Sequence, residues 1–133
     1  EMYFFGHGVD VDWGMAFNLY KLSADRGSAT ACQNVGVSYR DGEGVEANDV
    51  KAVAYFRLAA DLGAADGLDC LGYMYESGRG VDGPDLQMAM ELYAKAARQG
   101  DGLGQFHYGL LLREIGGKVQ VAQARIMVTT SQR

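Results

Sequence analysis

Two glycines one residue apart can turn a run of backbone amides toward an anion. The stretch "YRDGEGV", Tyr39 to Val45, has that spacing, and so do "YFFGHGV" from Tyr3 and "YESGRGV" from Tyr75. Each reads Y-x-x-G-x-G-V. A dinucleotide cradle, however, needs a strand leading into the glycines and a helix leading out. Here a helical pattern leads in, and the stretch returns at a fixed interval. No G-x-x-x-x-G-K-[ST] or G-x-S-x-G is present. These glycines are therefore read as structural turns, not as a phosphate site.

The remaining chemistry-bearing residues do not assemble into a constellation. His7 and His107 have no His, Cys or carboxylate partner at a metal-helix spacing such as H-E-x-x-H. "DVDWG", Asp10 to Gly14, begins like a calcium loop but lacks the third oxygen ligand and the distant bidentate Glu. Asp10 and Asp12 are read instead as loop acids ahead of a helix. Cys32 and Cys70 form no C-x-x-C pair and are expected as free thiols, buried or half-buried. Packed helices lie about 8–10 Å apart, beyond the roughly 7 Å limit for a disulfide's Cα atoms, so no Cys32–Cys70 bridge is expected. No Ser/His/Asp or Cys/His arrangement follows from spacing. The expectation is no enzyme activity, no cofactor and no metal.

Stepping out to the whole chain, 133 residues suffice for one domain with a core, and 48% of them are apolar. The net charge of −5 argues against nonspecific nucleic-acid binding and against docking on anionic lipid. No apolar run is long enough to span a membrane. The first residues lack the basic start and apolar stretch of a signal peptide. With no Met at position 1, the chain is expected to be a piece of something longer. Free cysteines favour a reducing compartment, such as cytoplasm or an organelle matrix. There are 19 glycines and a single proline, Pro84.

The glycines are periodic. Gly6, Gly42 and Gly78 are 36 apart, as are Gly8, Gly44 and Gly80, and Tyr3, Tyr39 and Tyr75. Gly36 and Gly72 keep the step, and after Pro84 it becomes 37, carrying Gly63 to Gly100 and Gly72 to Gly109. Ala52, Tyr55, Phe56, Ala59 and Ala60 make one apolar stripe of a helix; Ala89, Leu92, Tyr93, Ala96 and Ala97 repeat it. Asp49 and Asp85 suit the N-cap or first turn of these helices. Gly27, Gly63 and Gly100 suit their C-terminal ends. The pattern predicts helices near 13–26, 28–40, 50–62, 64–77, 85–99 and 102–115. Mid-helix Gly36 and Gly72 call for close helix approach, because glycine there costs about 1 kcal/mol against alanine. Helix pairs of this kind bury their faces only by stacking. The fold class is all-α, a right-handed α-solenoid with a concave side.

The spelling L-G-x-x-Y-x-x-G-x-G-V, then an acidic loop, then K-A-x-x-x-Y-x-x-x-A-A-x-x-G resembles the Sel1-like repeat family, relatives of the tetratricopeptide repeats. It stands here as "VGVSYRDGEGVEANDVKAVAYFRLAADLG" and "LGYMYESGRGVDGPDLQMAMELYAKAARQG". The signature positions are Gly36, Tyr39, Gly42, Gly44, Gly72, Tyr75, Gly78, Gly80, Ala59, Ala60, Ala96 and Ala97. The array divides into a partial repeat 1–27, repeats 28–63 and 64–100, and a degenerate or capping repeat 101–133. In the last, Ile115 to Val119 lose the G-x-G-V spelling. The secreted, cysteine-rich members of the family, linked to penicillin binding, carry a regular cysteine pair in each repeat. Cys32 and Cys70 stand at different repeat positions, so the resemblance to that subclass is in fold.

The resemblance implies a non-enzymatic scaffold that binds other proteins, a peptide, helix or domain, on the concave face. Its variable inner-helix residues are the candidates: Asn34, Ser38 and Asp41; Cys70, Tyr73 and Ser77; His107, Leu111 and Glu114. A positive or amphipathic partner segment suits the acidic balance. The alternatives are a subunit packed permanently in a larger assembly, or a secreted small-molecule hydrolase, which would need a nucleophile that the sequence does not supply.

Overall fold

All but one of the described helices begin where a short polar side chain satisfies a free amide of the first turn; the exception starts after Ala64, which has no side chain to do so. Asp12, Ser28, Asn48 and Asp85 accept from the backbone N–H three residues on, at 2.9–3.1 Å. The computed structural model describes residues 12–131, with side chains as far as Lys118. It contains six α-helices among the described residues: α1 (Trp13–Asp25), α2 (Ala29–Asp41), α3 (Asp49–Asp61), α4 (Ala65–Ser77), α5 (Leu86–Arg98) and α6 (Gly102–Ser131). Asp101 caps α6 through Gly104 N at 2.8 Å. Asp85 is an N-cap, as its position suggests. Asp49 lies in the first turn of α3, and its neighbour Asn48 is the cap.

Consecutive helices pack as hairpins, α2 on α3 and α4 on α5, and the hairpins stack. One core runs through the stack: Phe17, Val35, Tyr39, Phe56, Leu68, Leu71, Met74 and Leu92 all belong to it. A second cluster of Ala89, Tyr93 and Leu111 joins α5 to α6. The chain is thus an all-α solenoid.

The mid-helix glycines have a specific use. A Cβ on Gly36 would lie 2.6 Å from the Phe56 ring, and one on Gly72 would lie 2.7 Å from the Tyr93 ring. In each hairpin an aromatic ring of the second helix occupies the space of the missing side chain on the first. Phe56 and Tyr93 are fully buried as a result. The next helix approaches by the same means: a Cβ on Gly67 would lie 2.8 Å from Ala59 Cβ, and one on Gly104 would lie 2.6 Å from Ala96 Cβ. The Ala-Ala pairs are small because a neighbouring backbone rests on them.

The G-x-G-V loop closes each hairpin and touches the one before. Asn48 N donates to Tyr39 O, and Asp85 N to Tyr75 O, both at 2.8 Å, so the chain reverses onto its own tyrosine. Gly44 and Gly80 have φ of 79° and 72°, a left-handed conformation that side chains resist. A side chain would also collide with backbone: Gly44 faces the Trp13 carbonyl at the start of α1, and Gly80 faces Asp49 O and Val53. Val45 and Val81 fold back, half-buried, against the core. Arg79, between the two glycines, adds a two-pronged bond to Asp49 (Nη2–Oδ1 2.8 Å, Nε–Oδ2 3.1 Å) and reaches Arg40 O at 3.3 Å. The loop is a stitch between successive hairpins.

The C-terminal part departs from expectation. The pattern predicts a helix ending near 115. Instead α6 continues without a break through Gly116 and Gly117 to Ser131. The equivalents of Gly78 and Gly80 are Ile115 and Gly117, so the paired left-handed glycines are missing. Lys118 pairs with Glu114 at 3.3 Å, an i,i+4 contact that favours continued helix. With no loop folded back, a shallow groove stays open beside Met90, Ala94, Arg98 and Tyr108. The expected N-terminal remnant, Glu1 to Phe5, and the first Y-x-x-G-x-G-V stretch lie outside the described residues, as do His7 and Asp10.

Gly80 and Gly63 provide a matched test. Both have positive φ, but nothing lies within 4 Å of a Cβ on Gly63. Gly63→Ala should cost about 1 kcal/mol of left-handed strain. Gly80→Ala should cost roughly 2–4 kcal/mol, since overpacking against backbone adds to that strain. Urea unfolding curves of the two variants decide the point, and equal losses would contradict the stitch.

Candidate functional site

Helices α2, α4 and α6 touch one another in order, whereas α1, α3 and α5 make no such contacts among the described residues. The first helix of each hairpin therefore forms the tighter, inner layer. Seven of the nine sequence-selected residues are half-buried or exposed. Asn34, Cys70 and His107 are half-buried, and Asp41, Ser77 and Glu114 are exposed. Tyr73 is 43% exposed. The Ser77 hydroxyl is tied to its own helix through Tyr73 O at 2.8 Å.

Ser38 and Leu111 do not line the face. They are 5% and 2% exposed and point into the hairpin core. The reason is helical phase. The steps of 36 and 37 align Ser38 and Leu111 with Met74, which is fully buried, and align Tyr73 with Val37 and Leu110. The inner row is therefore Val37, Tyr73 and Leu110. The same steps, read in the sequence, could have identified it.

The charged groups along this face are mostly committed to each other. Arg40 holds Asp41 at 2.9 Å and lies over the Phe56 ring, 5.9 Å from its centroid. That hydrogen bond keeps the Asp41 carboxyl below the usual carboxylate range. Asp69 is buried on α4 and meets His107 Nδ1 of α6 at 2.9 Å. Burial raises the Asp69 carboxyl above its ordinary value, and the His107 hydrogen bond draws it partly back. The Tyr93 hydroxyl donates to Glu76 at 2.7 Å, and its ring lies 5.2 Å from that of His107. Burial, then Glu76, raises the Tyr93 phenol, so it stays protonated.

Neither cysteine is activated as a nucleophile. Both cysteines are free, Cys32 buried and Cys70 half-buried. Burial pushes the Cys70 thiol up to about 11, with Arg40 as a weaker opposing influence, so it is not a thiolate near neutral pH. Burial likewise raises the Cys32 thiol. Asp12, once a candidate for a calcium loop, spends its carboxylate on the α1 cap. Among the described residues no group of three or more His, Cys, Asp or Glu could hold a metal, and no helix is long and apolar enough to cross a membrane.

The Sel1 repeat family matches residues 1–28, 29–63 and 71–101. No curated protein matches the chain. Three solved structures are similar. A protective antigen of uropathogenic Escherichia coli strains, displaying an SLR fold, is 43% identical at a TM-score of 0.66, over 71% of this chain and 20% of that one. A Sel1 repeat protein from Oxalobacter formigenes is 33% identical at 0.69, over 79% of this chain and 43% of that one. Helicobacter pylori cysteine rich protein B is 26% identical at 0.65, over 71% and 70%. The chain spans less than half the length of the first two. Sel1 repeat proteins are generally interaction scaffolds and typically non-catalytic. With its period, its ring-and-glycine packing and the family match covering most of its length, this chain belongs to the Sel1 repeat family.

Proposed function

We propose that this chain is a non-catalytic scaffold that holds a partner protein's peptide or helix on its inner face. The observation that carries the reading is the row Val37, Tyr73 and Leu110. One apolar side chain stands at the same repeat position on each of three adjacent inner helices. Tyr73 and Leu110 are exposed although nothing in the hairpins requires it. Asp41, Ser77 and Glu114 continue the face one helical turn further on. An apolar row beside carboxylates suits an amphipathic segment with apolar residues on one side and Lys or Arg along its edge. Tyr73 is the natural anchor, since a rigid aromatic with a polar tip loses little entropy on binding.

The assembly-subunit reading draws on a different observation. Leu103, Phe106 and Leu112 are exposed on α6, the last of the described helices.

Selecting amphipathic helical peptides against the immobilised chain would test the scaffold reading. Peptides bound on the inner face should lose about 30-fold or more in affinity to Tyr73→Ala, the scale of a hot-spot residue. Leu110→Ser should weaken them as well, while the melting temperature stays unchanged. Peptides that bind both variants as tightly as the original chain would contradict it. Turnover of a chromogenic β-lactam by the purified chain would restore the hydrolase alternative.

A further inference from the structure

An aspartate followed by glycine places a carboxyl group beside the least hindered of backbone amides, since glycine has no Cβ to shield its nitrogen. The chain contains four such pairs: Asp41-Gly42, Asp66-Gly67, Asp82-Gly83 and Asp101-Gly102. Three of them are held by the fold. Asp41 gives both carboxylate oxygens to Arg40, at 2.9 and 3.1 Å, and Gly42 N–H donates to Ser38 O at 2.8 Å. Asp66 and Gly67 lie in the first turn of α4, where Gly67 N–H donates to Ala64 O at 3.1 Å. The Asp101 carboxylate accepts from Gly104 N at 2.8 Å as the α6 cap, and its carbonyl accepts from Gln105 N at 3.0 Å.

Asp82-Gly83 differs from the other three. Among the described residues, neither the Asp82 carboxylate nor the Gly83 N–H makes a hydrogen bond. Asp82 is exposed, and a Cβ on Gly83 would meet nothing within 4 Å. The pair borders a pocket of about 290 Å³, shared with Tyr75, Val81 and Asp85. The cause is an extra residue. In the first loop three steps lead from Val45 to Asn48, and in the second four lead from Val81 to Asp85. Both loops have the same anchors. Val45 and Val81 rest on the core, and Asn48 N–H and Asp85 N–H donate to Tyr39 O and Tyr75 O, each at 2.8 Å. A longer chain between equal anchors is slack, and Asp82 and Gly83 lie in the slack.

We propose that Asp82 is a site of spontaneous covalent modification, the conversion of aspartate to isoaspartate. The Gly83 nitrogen gives up its proton and bonds Asp82 Cγ. The carboxyl hydroxyl leaves with a proton as water, which closes a succinimide ring. Water then adds to one of the two ring carbonyls. Breaking the nitrogen's bond to Cγ restores aspartate. Breaking its bond to the Asp82 main-chain carbonyl carbon leaves the chain running through Cβ and Cγ, with the former main-chain carbonyl as the free carboxylate. Nothing is oxidised or reduced, and water, which reaches the pair through the pocket, is the only co-reactant. The product adds one methylene to the main chain between the two anchors.

The folded chain is incubated at neutral pH in heavy-oxygen water, digested and mapped by tandem mass spectrometry. Each ring opening adds one heavy oxygen, and backbone fragmentation separates isoaspartate from aspartate. Isoaspartate should accumulate at residue 82 and stay at background at residues 41, 66 and 101. In guanidinium chloride, where the folded contacts are gone, all four should convert. Asp82→Asn loses ammonia instead of water and should convert faster than the original chain. Asp101→Asn, which can still cap Gly104, should persist while folded. Equal conversion of all four pairs in the folded chain would overturn the proposal. So would Asp101→Asn converting as fast as Asp82→Asn, or a residue 82 that reacts only in the unfolded chain.

Discussion

The structure depends on a ring resting where a side chain is missing. Glycine in the middle of a helix is unfavourable by about 1 kcal/mol relative to alanine. Here that loss is offset by burying a whole aromatic side chain, worth about 1.5–3 kcal/mol. Phe56 on Gly36 and Tyr93 on Gly72 fix the depth at which the two helices of a hairpin meet. That depth sets the position of the loop, and the loop sets the position of the previous hairpin. Gly44 and Gly80 carry the constraint onward by letting the loop backbone lie against the start of α1 and α3. Arg79 reinforces one of these junctions by reaching both Asp49 and Arg40 O.

Function follows from what the packing leaves over. The repeat consumes the glycines, the tyrosines Tyr39 and Tyr75, and the paired alanines. It leaves one apolar position per inner helix, with variable neighbours, on a scaffold whose geometry is set elsewhere. The polar pairs Arg40 with Asp41 and Asp69 with His107 hold side chains in place.

The sequence displays much of this because steric needs are periodic. The spacing of Gly36, Gly72 and Gly109, and of Ala52 and Ala89, places five of the helices within about a residue of their ends and identifies the stack. The departures come from effects that a period does not encode. Spacing within one helix points Ser38 and Leu111 to the surface, but both are buried, as their repeat counterpart Met74 is. The helix expected to end near 115 runs on because the repeat's turn needs two left-handed glycines at fixed positions, and Ile115 occupies the first. Asp49 was legible as a first-turn acid, but its bond to Arg79 joins residues of different hairpins and has no local signature. The pairing of Asp69 with His107 is missed for the same reason.

The central claim is that the glycines are seats for neighbouring groups. Alanine substitutions at Gly72 and Gly109 test it most directly, because the two occupy the same position in successive repeats and differ only in whether a ring is present. Unfolding free energies should be measured in urea at low protein concentration. Gly109→Ala should stabilise the chain by up to about 1 kcal/mol through helix propensity. Gly72→Ala should destabilise it by roughly 1–2 kcal/mol, as displacement of the Tyr93 ring outweighs that gain. Equal stabilisation by both substitutions would contradict the account.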